Sequence, residues 1–329
     1  MLPGGATAPD ALAPPAGLMR IAVILPCYNE AAAIGQTVAG FRAALPGAAI
    51  YVYDNNSRDD TAARAAAAGA IVRTERMQGK GHVVRRMFAD VEADVYVMAD
   101  GDATYDAAAA PALVAQLVGE RLDMVVGARQ SEIEEAYRRG HRFGNRLLTG
   151  LLARLFGRTF TDILSGYRVF SRRFVKSFPV LSTGFEIETE ISVHALELNM
   201  PVGERVTRYG ARPEGSASKL STYRDGWRIL RTILSLVRIE RPVLYFGTFA
   251  VALALLAFLL AIPLGITYVQ TGLVPRLPTA LLSTGLVILA VLNLFCGIIL
   301  DTVVRGRREV RRLAYLGLPA PGEGPLSPP

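Results

Sequence analysis

The chain has 329 residues, of which 51% are hydrophobic and 20% are charged. Its mean hydropathy of +0.30 is too high for an ordinary soluble enzyme, and its charged fraction is too large for a purely membrane-embedded bundle. The formal net charge of +7 favours an anionic partner such as a phosphate-bearing substrate or an anionic lipid. No nucleic-acid recognition motif is present, so we expect no nucleic-acid partner. Because Cys27 lies in the charged part and Cys296 in an apolar run, we expect neither a disulfide nor a cysteine metal site.

Short apolar strands and helices alternate through the first 130 residues. Residues 1–18 are rich in alanine, proline and glycine and lack the features of a signal peptide, so we expect a disordered leader. The predicted strands are Ile21–Leu25, Ile50–Tyr53, Ile71–Val72, Val95–Ala99 and Met124–Val126, and the predicted helices are Ala31–Ala44, Thr61–Ala68, Gly81–Val91 and Pro111–Glu120. This alternation predicts βαβ units and an α/β fold with a mostly parallel, Rossmann-like sheet.

Polar clusters follow three of the predicted strands. They are Tyr28–Glu30 after the first strand, Asp54–Ser57 after the second and Asp100–Asp102 after the fourth. Ligands of parallel sheets bind beyond the carboxyl ends of the strands. The repeated placement therefore predicts a ligand site along that edge.

Asp100 and Asp102 are candidate metal ligands. Two carboxylates one residue apart at a strand end can hold a hard divalent ion against a diphosphate. The ion would neutralise the charge that develops on a departing nucleotide. A solvated turn is the alternative interpretation of this Asp-Gly-Asp sequence.

Asp54 and Lys80 are candidate donor-binding residues. Asp54 could accept a hydrogen bond from a nucleobase N–H or a ribose hydroxyl. Its turn could also cap the next helix, with Asp59 or Asp60 near the N-cap, and both roles can hold together. The Gln78–Gly81 turn contains two glycines that permit close backbone approach, and Lys80 could meet a phosphate or a base there. A plain surface turn is the alternative.

Two long apolar runs, Tyr245 to about Val269 and Thr279 to about Val304, are long enough to span a membrane. Arginines precede the first run and follow the second, whereas the loop between them contains only Arg276. The positive-inside rule therefore places both ends in the cytoplasm. A pair of buried helices of a soluble protein is the alternative interpretation of the two runs.

The segment Tyr223–Ile239 has the pattern of an amphipathic helix in the membrane interface, with packing against the preceding domain as the alternative.

Several motifs occur in order along the chain, and together they resemble those of glycosyltransferase family 2. They are Pro26–Glu30, the Asp54 turn, Asp100–Asp102, Gly127–Arg129, Asp162–Arg168 and Arg212–Lys219. The most similar subgroup is the dolichyl- and polyprenyl-phosphate sugar synthases, and the terminal hairpin resembles that of bactoprenol glucosyltransferases. The resemblance spans Met19 to Arg312. One departure is visible, since the usual acidic pair after the second strand is Asp54-Asn55 here.

The resemblance implies a GT-A fold and the inverting transfer of a sugar from a nucleotide-sugar, with a UDP-sugar favoured, to a polyprenyl phosphate for cell-envelope glycosylation. The residues implied for the nucleotide-sugar are Pro26, Tyr28, Glu30, Asp54, Lys80, Asp100, Ser218 and Lys219. Asp100 and Asp102 would hold Mg²⁺ or Mn²⁺, and the acceptor phosphate would meet Arg129, Arg142 and Arg146. The residues implied for catalysis are Asp102, Asp162 and Arg129. Asp162 could orient the acceptor, act as a base or cap the Ser165-Gly166 turn, and Glu186 and Glu188 are comparable candidates.

The predicted organisation is a GT-A domain over residues 19–221, a juxtamembrane helix over 222–241, a two-helix transmembrane hairpin over 242–304 and a basic cytoplasmic tail over 305–329. We expect a multi-pass protein of the cytoplasmic membrane and leave a homo-oligomer open. A processive polysaccharide synthase is one alternative, although the Gln/Arg-x-x-Arg-Trp motif of such enzymes is missing around Trp227. A catalytically inactive membrane scaffold is another, and the intact Asp100 and Asp102 argue against it.

Overall fold

The computed structural model describes residues 19–131, 150, 154, 160–184, 186–210, 231, 234–235 and 237–322. The predictions for the leader, for Arg142, Arg146, Ser218 and Lys219, and for residues 223–230 fall outside this part of the chain. The described residues divide into two compact units. One is drawn from Met1–Glu134, Phe160–Ala217 and Tyr315–Pro329, and the other from Glu135–Thr159 and Ser218–Ala314.

The first unit is built on a seven-stranded sheet. Its strands are β1 (Ile21–Cys27), β2 (Ala49–Asp54), β3 (Ile71–Thr74), β4 (Val95–Met98), β5 (Met124–Ser131), β6 (Arg168–Ser171) and β7 (Val202–Tyr209). Their order in the sheet is β3-β2-β1-β4-β6-β5-β7. All neighbouring pairs are parallel except those of β6, which runs antiparallel to both β4 and β5. The mostly parallel sheet predicted from the sequence is thereby confirmed.

The described α-helices of this unit cover the sheet, and the first four of them correspond to the helices predicted from the alternating pattern. They are α1 (Ile34–Ala44), α2 (Thr61–Ala67), α3 (Lys80–Asp90), α4 (Ala110–Gly119), α5 (Arg172–Ser177) and α6 (Ile187–Glu197). Strand β1 lies inside the sheet between β2 and β4, and three consecutive residues, Val23, Ile24 and Leu25, have no exposed surface. Such continuous burial, rather than alternation, is expected of a strand that packs against helices on both faces.

Strand β6 was not among the predicted strands, and its direction matters for the site. Its first residue, Arg168, pairs with Met98 at the end of β4 and with Val126 of β5. Because β6 is antiparallel to its neighbours, its amino end lies at the edge where β4 ends. The segment that leads into β6 therefore reaches the same edge as the polar clusters after β1, β2 and β4.

The second unit contains the apolar helix α7 (Pro242–Thr271) and, up to Ala314, the apolar helix α8 (Leu277–Leu316). By length and composition both are candidate membrane spans, with mean hydropathies of 2.7 and 2.5 in their most apolar windows. Only 11% and 17% of those windows are buried, whereas a core helix of a soluble protein is mostly buried. Helix α8 continues to Leu316, so the start of the predicted basic tail after residue 304 is helical.

Contacts within this second unit join the two helices along their length. Ser283 donates a hydrogen bond to the carbonyl oxygen of Ala257 at 2.9 Å. Gly297 packs so closely that an added Cβ would lie 3.2 Å from the Cβ of Phe246. Near the base of the hairpin, Arg308 bonds the Glu240 carboxylate at 3.3 Å. Close approach through small residues and polar side chains is typical of helix pairs in membranes.

Candidate active site

The turns after β1 and β2 are joined by side chain to backbone hydrogen bonds. The amide of Asn29, which has a φ of +54°, donates to Ser57 Oγ at 2.9 Å. In return Asn29 Oδ1 accepts from the amide of Arg58 at 2.8 Å. The amide of Glu30 donates to Thr61 Oγ1 at 2.9 Å. These bonds hold the segment after β1 in one arrangement against the start of α2.

Asp54, the last residue of β2, is 7% exposed. Its Oδ2 accepts from the amide of Ser57 at 3.2 Å, which is the predicted turn. Among the described residues, no hydrogen-bond donor reaches its buried Oδ1. A buried carboxylate oxygen without a donor is uncommon in folded proteins and is suited to a ligand N–H or hydroxyl. The geometry is compatible with both roles that the sequence left open for Asp54.

Asn55 explains why the second residue of the usual acidic pair is an amide here. Its Nδ2 donates to the carbonyl oxygens of Glu75 at 2.9 Å and Met77 at 2.8 Å. Its Oδ1 accepts from the amide of Gly79 at 2.7 Å and from Gln78 Nε2 at 3.2 Å. An ionised aspartate could accept these bonds but could not donate to two carbonyls. Asn55 therefore anchors the turn that precedes Lys80.

The glycines around Lys80 approach another part of the protein backbone. A Cβ added to Gly79 would lie 2.1 Å from the carbonyl oxygen of Thr183, and one added to Gly81 would lie 2.2 Å from that of Ser182. Gly79 also has a φ of +134°. Only glycine fits this crossing of two backbone segments. The close approach expected from the sequence is therefore made to the protein's own chain.

Lys80 lies between two carboxylates from distant parts of the sequence. Its Nζ is 2.5 Å from Asp100 Oδ1 and 2.5 Å from Glu188 Oε1. Burial by itself disfavours the ammonium, but the charges and hydrogen bonds of Asp100 and Glu188 outweigh it and raise the pKa of Lys80 above its usual range. Of the two glutamates considered from the sequence, Glu188 contacts this cluster. Lys80 therefore carries a charge throughout the physiological range.

The Asp100–Asp102 turn follows β4 directly. Asp102 is 3% exposed, and its Oδ1 accepts from Thr104 Oγ1 at 2.6 Å and from the Thr104 amide at 3.2 Å. Gly101 packs on Cys27, and an added Cβ would lie 2.3 Å from that sulfur. Burial, followed by the charges of nearby carboxylates, raises the pKa of the Cys27 thiol well above its usual range. Cys27 is thus a neutral packing residue beneath the turn.

The residues present fit a hard divalent ion that is shared with a substrate. Among the described residues, no group of three or more His, Cys, Asp and Glu side chains forms a metal site of its own. Mg²⁺ is commonly bound through one or two carboxylates together with substrate phosphates. Asp100, whose side chain is 32% exposed, and Asp102, two residues further along the turn, supply such a pair of oxygen donors.

Arg129 and Asp162 form a bidentate ion pair at the end of β5. Arg129 Nε donates to Asp162 Oδ2 at 2.7 Å, and Nη2 donates to Oδ1 at 2.8 Å. The Arg129 amide also donates to Oδ2 at 3.2 Å, and the guanidinium lies 5.5 Å from the ring centroid of Tyr209. Burial alone would raise the pKa of Asp162, but the hydrogen bonds and charge of Arg129 hold it below its usual value. Asp162 is therefore an ionised partner that orients Arg129.

Arg168 is a buried residue that supports the site and that was predicted only as the last residue of the Asp162–Arg168 motif. It has no exposed surface. Its guanidinium donates to the carbonyl oxygens of Ser165, Ile163 and Glu188 and to Ser192 Oγ. Burial lowers the pKa of Arg168 to about 10, so it is still charged at neutral pH. An arginine in an otherwise apolar run, Tyr167 to Phe170, is the sequence signal that could have identified it.

The remaining predicted residues occupy varied positions. Pro26 is part of β1 and pairs with Tyr53 in the sheet, while Tyr28 and Glu30 are half-buried in the turn that follows. Glu190, which was not among the predicted site residues, accepts from the amides of Leu181 and Ser182, both at 2.8 Å, and so holds the segment that packs on the Lys80 turn. The structure brings Asp54, Lys80, Asp100, Asp102, Arg129 and Asp162 to one edge of the sheet.

Comparisons with known proteins agree with this architecture. The sequence family described as Glycosyl transferase family 2 matches residues 22–178. Glycosyltransferase AglJ of Haloferax volcanii is 32% identical over 291 residues, which cover 88% of this chain and 95% of that protein. A dolichyl-phosphate hexose transferase of the same organism is 28% identical over 222 residues, covering 67% of this chain and 95% of its own length.

A solved structure shares the fold. Glucosyl-3-phosphoglycerate synthase of Mycobacterium tuberculosis, in complex with Mn²⁺, UDP and phosphoglyceric acid, superposes with a TM-score of 0.54 and 25% identity over 67% of this chain and 78% of that one. The sheet order, the strand-end carboxylates and the match to AglJ over most of both chains lead to the same assignment. The chain adopts the GT-A fold and belongs to glycosyltransferase family 2.

Proposed function

We propose that this protein transfers a hexose from a nucleotide-sugar to a polyprenyl phosphate at the membrane surface. One observation carries the proposal. The Asp100–Asp102 turn and the Arg129–Asp162 pair lie at one edge of the sheet in a chain that also carries two long apolar helices. The first feature suits a nucleoside diphosphate, the second suits a phosphate acceptor, and the helices suit a lipid substrate. The similarity to a dolichyl-phosphate hexose transferase also supports transfer of a hexose to a lipid-linked phosphate.

The donor half of the site comprises the turns after β1, β2 and β4. The buried Oδ1 of Asp54 would accept from the nucleoside, with Pro26, Tyr28 and Glu30 beside it. Asp100 and Asp102 would hold Mg²⁺ or Mn²⁺ against the diphosphate. When bound, the ion neutralises charge on the departing nucleotide. A UDP-sugar is favoured because a protein of the same fold has been solved with Mn²⁺ and UDP.

The acceptor half is centred on Arg129. Its Nε and Nη2 are occupied by Asp162, which leaves Nη1 outside the ion pair. A guanidinium held in this way can present a fixed donor to a phosphate oxygen. Arg142 and Arg146 would add further contacts to the acceptor, and Ser218 and Lys219 would contact the donor phosphates.

The reaction needs little acid–base chemistry from the protein. A phosphate monoester has a second pKa near ~6, so the acceptor is largely ionised at neutral pH. One of its oxygens attacks C1 of the sugar and forms the new C–O bond, while the nucleoside diphosphate leaves with the electrons of the old bond and the configuration inverts. Positioning and charge stabilisation then supply most of the rate enhancement. Asp162 would serve as a positioning residue for Arg129, since its lowered pKa makes it a weak base.

The membrane arrangement follows from the arginine distribution. Residues 242–304 would form the hairpin in the cytoplasmic membrane, with the GT-A domain of residues 19–221 and both termini in the cytoplasm. The polyprenyl phosphate headgroup would then meet the site from the cytoplasmic leaflet. The product would be a polyprenyl-phosphate-linked monosaccharide for cell-envelope glycosylation.

A soluble phosphorylated acceptor is the second candidate, because the solved structure of similar fold contains phosphoglyceric acid. The apolar helices favour the lipid. The deciding experiment incubates the purified protein with radiolabelled UDP-glucose, UDP-N-acetylglucosamine and GDP-mannose, each with undecaprenyl phosphate or with 3-phosphoglycerate. Label that enters the organic phase supports the proposal. Label found only in a water-soluble product, or the absence of transfer by a protein that binds the donor, would refute it.

A further inference from the structure

The Lys80 ammonium is enclosed by carboxylates in the described structure. Its side chain is 11% exposed and that of Glu188 is 8% exposed, and both Lys80 ion pairs are 2.5 Å long. Removing one member of such a buried cluster leaves an uncompensated charge, which is strongly destabilising. Lys80 is therefore the counter-ion of both Asp100 and Glu188.

Two segments that pack against each other fix the position of Lys80. The turn before it is anchored by Asn55, and its glycines cross the backbone of Ser182 and Thr183. That second segment is held by Glu190, in the same first turn of α6 as Glu188. The start of α3 and the start of α6 thus form one packed element that aims the ammonium at the end of β4.

This arrangement creates a competition at Asp100. Its Oδ1 is engaged by Lys80, and its Oδ2 lies where a Cβ on Gly166 would come within 2.8 Å. A divalent ion bound to the Asp100 carboxylate would compete with the Lys80 ammonium for the same negative charge. A diphosphate that arrives with the ion offers Lys80 a new anionic partner.

We propose that Lys80 is an internal counter-ion which the divalent cation and the donor diphosphate displace together, and that Glu188 is the positioning residue that retains Lys80 beside the site. This inference rests on the proposed donor and metal. It predicts that the ion binds weakly to the free protein and tightly with the nucleotide. By linkage, the nucleotide must tighten metal binding by the same factor by which the metal tightens nucleotide binding.

The test measures Mn²⁺ binding directly, from the electron paramagnetic resonance signal of free Mn²⁺, on the full chain in detergent micelles. We expect UDP to tighten Mn²⁺ binding to the natural protein by roughly tenfold or more. In Lys80→Met, Mn²⁺ alone should bind roughly tenfold tighter than to the natural protein, and the effect of UDP should shrink. Lys176→Met is the matched control, since Lys176 pairs with Glu92 elsewhere in the fold.

A double variant, Lys80→Met with Glu188→Gln, removes one charge of each sign and so separates competition at Asp100 from a general change in charge. It also relieves the repulsion between carboxylates that could unfold the single variant. Tighter binding of Mn²⁺ alone to the double variant supports the inference, and binding no tighter than that of the natural protein overturns it.

The same measurement tests the proposed function separately. If UDP fails to promote Mn²⁺ binding even in the natural protein, the metal part of the proposed function is refuted as well. If UDP promotes it and the variants behave like the natural protein, only the role of Lys80 is refuted.

Discussion

Arg129 and Asp162 are 33 residues apart in the sequence and meet in a bidentate ion pair of 2.7 and 2.8 Å at the carboxyl edge of the sheet. The pair assigns different roles to two residues that the sequence placed together among the catalytic candidates. Asp162 holds the guanidinium plane, and Arg129 can present its remaining edge to an anion.

Replacing Arg129 by lysine should weaken acceptor use and spare the donor. A lysine cannot reproduce the planar fork that binds Asp162 at two atoms, so the cation loses its orientation. We expect kcat/KM for the polyprenyl phosphate to fall by roughly 10- to 100-fold, which corresponds to about 1.5–3 kcal/mol. Steady-state titration of each substrate checks this, and a selective rise in the donor KM would contradict it.

Arg173→Lys is the matched control for that experiment. Arg173 forms the same type of bidentate pair with the buried Asp123, at 2.5 and 2.9 Å, but away from the candidate site. This substitution should lower the melting temperature while leaving the kinetic constants of the folded protein close to normal. If both lysine variants lose acceptor use equally, the effect of Arg129→Lys reflects general destabilisation.

Asp162 should make folding stability sensitive to acid. Its folded pKa lies below the ordinary value of ~3.9, so the ionised carboxylate stabilises the fold above about pH 4, and this contribution is lost as the pH falls through the lowered pKa. Asp162→Asn should melt at a lower temperature near neutral pH and show a shallower decline between about pH 5 and pH 3. Melting curves across that range provide the measurement. Parallel curves for the two proteins would show that the pair contributes no pH-dependent stability.

Asn55→Asp, which restores the acidic pair usual in the family, should be harmful here. The substitution removes two donated hydrogen bonds and leaves the carbonyl oxygens of Glu75 and Met77 facing a carboxylate. We expect a loss of about 2 kcal/mol or more in unfolding free energy and a raised donor KM, because the turn before Lys80 is released. The control is Asn56→Asp, since Asn56 also donates to a backbone carbonyl, that of Arg76, but is exposed. Normal stability and donor binding in Asn55→Asp would mean that the turn is held by other contacts.

Arg168→Met should destabilise the fold strongly. Methionine fills much of the space but removes the guanidinium that donates to the carbonyl oxygens of Ser165 and Ile163. The expected loss is about 3 kcal/mol or more in unfolding free energy. Thermal unfolding in micelles is the measurement. Arg86→Met is the control and should change the stability little, because Arg86 is exposed and pairs with Asp90 within α3. A methionine variant as stable as the natural protein would show that well-packed apolar contacts can replace this polar network.

Membrane orientation can be tested at the loop between α7 and α8. Val274 is 45% exposed, and a cysteine there avoids the positive φ of Gly272, where a side chain would be strained. In a background that lacks Cys296, Val274→Cys should react with a membrane-impermeant thiol reagent in intact cells, whereas Arg307→Cys should react only after the cells are opened. The reverse pattern would place the loop in the cytoplasm and contradict the arginine-based orientation.

The alternation of strands and helices was readable from the sequence because each element is specified locally. Hydrophobic runs of strand length are separated by helical segments, and the predicted strands from Ile21 to Val126 all occur in the sheet. The α/β class and the placement of Asp54 and Asp100 at strand ends follow from that pattern. Strands β6 and β7 were missed because they lie beyond the regularly alternating region.

The sequence by itself thus determined the parallel core, the edge at which the polar residues gather and the two apolar helices. Only the tertiary structure decided which charges pair, because pairing depends on where remote segments return to that edge. Lys80 contacts Glu188, which is 108 residues further along the sequence. The contact forms because the antiparallel strand β6 and the start of α6 lie beside the end of β4. Asn55 likewise has a structural role that its place in an acidic motif does not reveal. Short-range periodicity encodes the elements, whereas the balance of burial and charge that defines the site arises only when those elements pack together.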